Sequence, residues 1–212
     1  MLTLLRPRRA QRLLDVGCGT GWFSSRFADV GVRVTGLDPD PAALRFARQR
    51  DDRIVYVEGR AEALPFGDGA FDHAAAVTSL CFVDDPVRAL RDLWRVSKGS
   101  VVLGLLHRHS LLWRAKRGRS GYLGARWDLL GEVRGWAREL KPAPGIRAGW
   151  AVFLPSGSPV ARRIEAILPS GLPLGGFLAV CLRRPEDGRN PEAIRTHMND
   201  VILENVKELR DS

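Results

Sequence analysis

Cysteine is scarce and scattered in this chain. Its 212 residues include three, Cys18, Cys81 and Cys181, an odd number without CxxC spacing, so neither a disulfide framework nor a zinc site is expected. No apolar run is long enough to cross a bilayer. Arg6, Arg8, Arg9 and Arg12 lead directly into a short strand-like run instead of a leader's long apolar stretch, so no membrane association is expected and a reducing cytoplasm is the expected compartment. Internal repeats and low-complexity tracts are absent. Lysine is nearly so: Lys98, Lys116, Lys141 and Lys207 are the only ones among 33 basic residues. The net charge of +9 is therefore mostly arginine. Without an aromatic-interleaved basic motif of an RNA-binding type, it reads as a basic surface before it reads as a nucleic-acid footprint. The densest basic cluster, His107-Arg108-His109 through Arg114, Lys116, Arg117 and Arg119, keeps that second reading open.

What is present suits one well-packed domain, with 45% hydrophobic and 27% charged residues. Apolar strand-like runs alternate with helical patterns, which predicts an α/β fold on a mainly parallel sheet. Strands are predicted over Arg12 to Val16, Val32 to Asp38, Ile54 to Glu58, Phe71 to Val77 and Ser100 to Leu106. Phe71 to Val77 is apolar almost throughout, as a strand buried on both faces must be. Helices are predicted after the glycine-rich turn, over Pro41 to Arg50 with Asp40 as cap, and over Pro86 to Arg95. Past Leu106 the alternation loosens. A helix is expected from about Asp128 to Leu140, a strand near Gly149 to Phe153, a short helix around Val160 to Leu168 and a strand at Phe177 to Leu182. Asn190-Pro191-Glu192 then opens a helix with Ile194, Met198, Val201, Ile202, Val206 and Leu209 on one face. Residues 1–184 read as the domain, with a variable insertion around 107–145. Residues 185–212 read as a linker and an amphipathic helix that packs on its own domain, on a second copy or on another partner.

The most informative segment is Leu13-Leu14-Asp15-Val16-Gly17-Cys18-Gly19-Thr20-Gly21. An apolar strand running into alternating glycines lets backbone approach a ligand closely, and the next helix offers N–H groups to it. A dinucleotide turn, GxGxxG, would require glycine where Trp22 stands. GxGxG with an acid two residues before it favours a different nucleotide-like ligand. A dinucleotide oxidoreductase stays as a remote alternative.

Asp15 to Gly21 resembles the first motif of class I S-adenosylmethionine-dependent methyltransferases, and the resemblance continues to about residue 106. It implies a Rossmann-like three-layer sandwich around a mainly parallel seven-stranded sheet whose last strand is antiparallel. It also implies S-adenosylmethionine as donor, S-adenosylhomocysteine as product and no metal. In that reading Gly17, Cys18 and Gly19 carry the methionine part of the donor, with Asp15 near its ammonium group. Asp38 would accept both ribose hydroxyls, with Pro39 beside the adenine. Glu58 to Phe66 is similar to the adenine-lining loop of the quinone-biosynthesis-like branch, methyltransferase type 11, which brings in Arg60, Ala61 and Glu62. That branch often has an acceptor acid where Arg60 stands. Arginine has no acceptor, so the Ala61 backbone carries over better than the Arg60 side chain, and Glu62 is open to a structural role. Phe71 to Pro86 resembles the fourth strand and its loop, adding Thr78 and Ser79. Ser97-Lys98-Gly99-Ser100 resembles a shortened form of the family's turn before the fifth strand.

The resemblance says less about the acceptor. The family commonly has one or two helices before its first motif, where only Met1 to Gln11 stand here, so the C-terminal helix is a candidate cover for the acceptor side. Methyl transfer can be driven by alignment alone. If the acceptor is a hydroxyl or phenol, His107 and His109 are the weak candidates for a base. Thr78 to Asp84 and His107 to Trp127 are the expected acceptor walls, with Trp113, Tyr122 and Trp127 read as core before ligand contacts. No Asn-Pro-Pro-Tyr-like segment follows the fourth strand, which argues against a nucleic-acid base amino group as target. A small-molecule substrate is the leading expectation. Methylation of RNA through residues 107–119 and a catalytically silent donor-binding subunit are the alternatives.

Overall fold

The computed structural model describes residues 1–153 and 171–185. The helices expected at 160–168 and 190–212 lie outside the described residues. Seven strands form one sheet: β1 (Arg12–Val16), β2 (Arg33–Asp38), β3 (Val55–Glu58), β4 (Phe71–Val77), β5 (Ser97–Leu106), β6 (Gly145–Ala151) and β7 (Phe177–Arg183). Their order is β3-β2-β1-β4-β5-β7-β6. The first five strands pair in parallel, whereas β7 runs antiparallel to both β5 and β6. The helices are α1 (Leu2–Leu5), α2 (Trp22–Asp29), α3 (Pro41–Arg50), α4 (Pro86–Val96), α5 (Leu111–Lys116) and α6 (Leu130–Ala137).

Alternation along the central strands sorts side chains onto two faces. On one face Leu14, Val101, Leu103, Leu178 and Val180 meet Leu90, Leu93 and Trp94 of α4 and Val133 and Ala137 of α6. On the other, Leu13, Val102, Ala179 and Cys181 meet Leu5 of α1, Phe27 of α2 and Leu44 and Ala47 of α3. A sheet covered on both sides explains why Ala74, Ala75 and Ala76 in β4 are all fully buried. His73 interrupts that run because its ring has two partners, the Ser100 hydroxyl at 2.8 Å and the Gln11 side-chain oxygen at 3.1 Å.

Helix starts follow their caps. Asp40 accepts the Ala42 N–H at 2.7 Å, and Asp85 accepts the Arg88 N–H at 2.9 Å ahead of Pro86. Where sequence and structure part, the sheet decides. Ser97 to Ser100, expected as a turn, belongs to β5, which begins as α4 ends; the pairing slips between Phe71↔Ser97 and His73↔Ser100, so an irregularity in the ladder replaces the turn. The strand expected near Gly149 to Phe153 is β6 at Gly145–Ala151, because its full length pairs with β7. The sequence reading did not include α1 and α5, helices of four and six residues, too short for a 3.6-residue period to declare itself.

Candidate functional site

The strand order turns back between β1 and β4, and open α/β sheets bind ligands in the crevice beyond the carboxyl ends of strands at such a point. The glycine turn leaves β1 there. The Gly17 and Cys18 N–H groups both donate to the Leu37 carbonyl, at 2.7 and 3.1 Å, fastening the turn to the end of β2. Gly17 has φ +69°, and a Cβ there would lie 2.2 Å from Ser79 Cβ. Ser79 in turn donates its hydroxyl to the Val16 carbonyl at 2.7 Å. The turn and the loop after β4 are thus pressed together. Gly19, at φ +53°, is different: a Cβ there would meet nothing within 4 Å, so its face is the open one. Beneath the turn lies Tyr56, which sequence reasoning missed. A Cβ on Gly21 would sit 2.5 Å from its hydroxyl, and one on Gly36 would sit 2.7 Å from its ring. A tyrosine in a strand carries no signal of that role until β3 is placed beside β2.

Two carboxylates flank the turn at adjacent strand ends. Asp15 is 1% exposed and accepts the Ser24 hydroxyl at 2.6 Å. Burial pushes its carboxyl up to about 6; the Ser24 hydrogen bond opposes that rise and the nearby charge of Asp38 adds to it. Asp38 accepts the Gly19 N–H at 2.8 Å on one oxygen and the Asp40 N–H at 2.9 Å on the other. Each Asp38 oxygen therefore keeps a lone pair for a ligand hydroxyl. Neither acid meets a cationic side chain among the described residues. Two buried carboxylates without a counter-ion, beside an open glycine face, favour a ligand that is cationic and carries hydroxyls.

The other residues expected at the site divide. Ala61 is buried in the core under the loop after β3, and Pro39 is exposed. The Arg60 guanidinium is exposed and stands 3.5 Å from Glu62 and 3.6 Å from Asp84, so both side chains belong to a charge clamp between the loops after β3 and β4. The Cys18 thiol packs toward Gly36, and burial together with the charge of Asp15 pushes its pKa up. Thr78 holds φ +53° at the end of β4, with its N–H on the Gly104 carbonyl at 2.7 Å and its hydroxyl on the Val77 carbonyl at 2.8 Å. A threonine in the left-handed region is strained, and such strain gathers at ligand sites.

Residues 14–103 match a family model described as a methyltransferase domain. Over those residues the chain is similar to SAM-dependent methyltransferase domains. A malonyl-[acyl-carrier protein] O-methyltransferase of Erwinia pyrifoliae is 41% identical over 113 residues, covering 52% of this chain and 43% of that protein. A demethylmenaquinone methyltransferase of Renibacterium salmoninarum is 40% identical over 88 residues, covering 42% of this chain and 37% of that protein. The chain thus spans less than half the length of these two curated relatives. Among solved structures, a SAM-dependent methyltransferase of Thermotoga maritima superposes with a TM-score of 0.67 at 26% identity, covering 87% of each chain. The fold, the seven-stranded sheet and the methyltransferase assignment expected from the motifs agree with these findings.

Residues 126–128 form a strip beside the end of β5. His107 bridges Asp128 in parallel, the Asp128 N–H donates to the Leu106 carbonyl at 2.8 Å and the Arg126 N–H to the Cys81 carbonyl at 2.8 Å. The Arg126 guanidinium ties this strip to the loop after β4. It donates to the Leu80 carbonyl at 2.9 Å, the Val83 carbonyl at 3.2 Å and buried Asp128 at 2.7 Å. His107 is buried and its Nδ1 bonds the Gly175 carbonyl at 2.9 Å, with burial holding its pKa below the usual histidine range. His109 is exposed at φ +68° with its ring against Trp113, 6.1 Å between centroids. Trp127 stacks on Tyr122 at 5.6 Å and joins Cys81, Leu106, Leu112 and Trp113 in a small core of its own. Trp127 is buried as the sequence reading favoured, while Trp113 and Tyr122 are half-buried against that core. Basic segment 107–119 contains α5, capped by Ser110 on the Trp113 N–H at 3.0 Å, and Arg117 lies 4.6 Å over the Trp113 ring.

Proposed function

We propose that this chain transfers a methyl group from S-adenosylmethionine to a small-molecule acceptor. The observation that carries the donor is the pair Asp15 and Asp38, two buried carboxylates without a counter-ion at the open face of the glycine turn. The donor brings an ammonium, a sulfonium and two ribose hydroxyls. Asp15 suits the cationic end and the free lone pairs of Asp38 suit the hydroxyls. Held there, S-adenosylmethionine would supply an electrophilic methyl group to an acceptor hydroxyl or amine, whose proton would pass to solvent. Alignment of the two substrates supplies the acceleration. His107 and His109 are not given the role of base: the first is buried on a main-chain carbonyl and the second is turned outward against Trp113.

A small, largely apolar acceptor is supported by the loops beyond the carboxyl edge, which expose Phe82 (54%), Leu111 (50%), Leu123 (73%) and Leu174 (54%). The name of one curated relative, a demethylmenaquinone methyltransferase, points the same way, whereas the other names a malonyl group on a carrier protein. Calorimetric titration of wild type and Asp38→Ala with S-adenosylmethionine and S-adenosylhomocysteine tests the donor. Micromolar affinity in the wild type that weakens about tenfold or more in the variant is expected. A folded wild type that binds neither ligand overturns the proposal. Given donor binding, turnover of radiolabelled methyl onto hydroquinones or short dicarboxylic monoesters, and none onto total RNA, is the expected acceptor result.

A further inference from the structure

The amino edge of the sheet, a strand length of roughly 20 Å from the donor turn, carries a cleft of about 600 Å³. Five cationic side chains line it: Arg91 and Arg95 of α4, Lys98 at the start of β5, Lys141 after α6, and Arg184 after β7. Two carboxylates line it as well, Asp68 and Glu139, and both are already engaged. Arg91 pairs with Glu139. Arg95 is held by Asp92 at 2.6 Å and Asp68 at 2.9 Å. Lys98, Lys141 and Arg184 have no carboxylate partner among the described residues.

Arg184 is the most telling of the three. Its guanidinium lies 4.5 Å over the Trp94 ring, donates Nε to the Ser97 carbonyl at 3.1 Å and Nη2 to the Trp94 carbonyl at 2.7 Å, and keeps Nη1 uncommitted among the described residues. A guanidinium fixed by stacking and main-chain bonds is pre-ordered for an oxyanion. Burial lowers its pKa, as for a charge drawn partly out of water without a counter-ion. Ser97, on the same wall, has a buried hydroxyl with no hydrogen-bond partner among the described residues.

We infer that this cleft binds a phosphoryl group, with Arg184, Lys98 and Lys141 as its counter-ions. Three unneutralised cations around one opening match a multivalent oxyanion better than a single carboxylate. The inference stands apart from the donor site and does not depend on it.

The test is titration of the full chain at low ionic strength with inorganic pyrophosphate and, in a parallel arm, with adenosine diphosphate. One saturable site per chain is expected. The double variant Lys98→Gln/Lys141→Gln should weaken it about tenfold at an unchanged melting temperature, since both side chains are exposed. A charge-matched control at exposed Arg33 and Arg45, Arg33→Gln/Arg45→Gln, should weaken it less than about twofold. Equal affinity for the two probes would support recognition of the phosphoryl group alone, and tighter adenosine diphosphate binding would support a nucleotide as its source. Absence of saturable binding to both probes, or equal weakening by both double variants, overturns the inference.

Discussion

Asp15 costs the ligand-free protein stability, a cost that the proposed donor would offset. A carboxyl raised from 3.8 to about 6 corresponds to about 3 kcal/mol of unfavourable ionisation at neutral pH. Between those values the folded chain holds more protons than the unfolded chain, so Asp15's contribution to stability falls as pH rises through that window. Asp15→Asn, which keeps the shape and removes the charge, should therefore be the more stable protein at pH 7 by about 2–3 kcal/mol in urea denaturation, with the gain vanishing toward pH 4. The same variant should bind S-adenosylmethionine at least about tenfold more weakly, because its ammonium loses a buried counter-ion. A variant less stable than wild type at pH 7 would mean that Asp15 is held ionised by something other than the donor. The placing of Asp15 and Asp38 at adjacent strand ends beside the glycine turn was legible from their positions before and after it. The Ser24 hydroxyl that shares Asp15 was not, since its position one helical turn into α2 carries no pattern.

Among elements, the glycine turn shows two glycines of one motif with different physical work. Gly17 is glycine because of the protein, with Ser79 occupying the place of a side chain; Gly19 is glycine beside open space. Gly17→Ala combines left-handed strain with a clash against a neighbouring element and should cost about 3–5 kcal/mol, read as a lowered urea midpoint. Gly19→Ala meets the backbone penalty alone, about 1–2 kcal/mol, yet places a methyl where the donor would lie and should abolish titration with S-adenosylhomocysteine. Similar stability loss in the two variants would contradict the assignment of inner and outer faces. The motif's spacing announces the turn but not which glycine faces the ligand, because that depends on the loop after β4 arriving against Gly17. The same holds for β5: Ser97 to Ser100 reads locally as a turn, and becomes strand because β4 lies alongside to pair with it.

Across the whole molecule, β7 joins the ends of the described chain to the centre of the sheet. It pairs with β5 and β6, and Arg183 at its end reaches back to the Leu4 and Leu5 carbonyls at 3.5 and 3.2 Å. Leu5 is fully buried against the α2 and α3 face. Leu5→Ala should lower stability by about 2–5 kcal/mol in thermal or urea melts while leaving donor affinity unchanged, since α1 packs on β5 and β7 beside Arg183, at the end of the sheet away from the turn. Loss of donor affinity in a variant still folded at the assay temperature would tie α1 to the crevice. The two edges of the sheet are then chemically opposite, acidic at the donor crevice and basic at the cleft around Arg184.

The sequence by itself determined the α/β alternation, the caps at Asp40 and Asp85, the glycine turn and the acids beside it. These depend on local periodicity, on cap chemistry and on short spacings within one strand-turn-helix unit, all of which are written in consecutive residues. Tertiary structure alone decided that Tyr56 fills the space under Gly21 and Gly36, that Arg126 fastens the strip at residues 126–128 to the loop after β4, and that Lys98, Lys141 and Arg184 converge on one cleft. Those partners stand tens of residues apart, and no local propensity relates them; they meet only because burying both faces of the sheet fixes the strand order and carries their elements together.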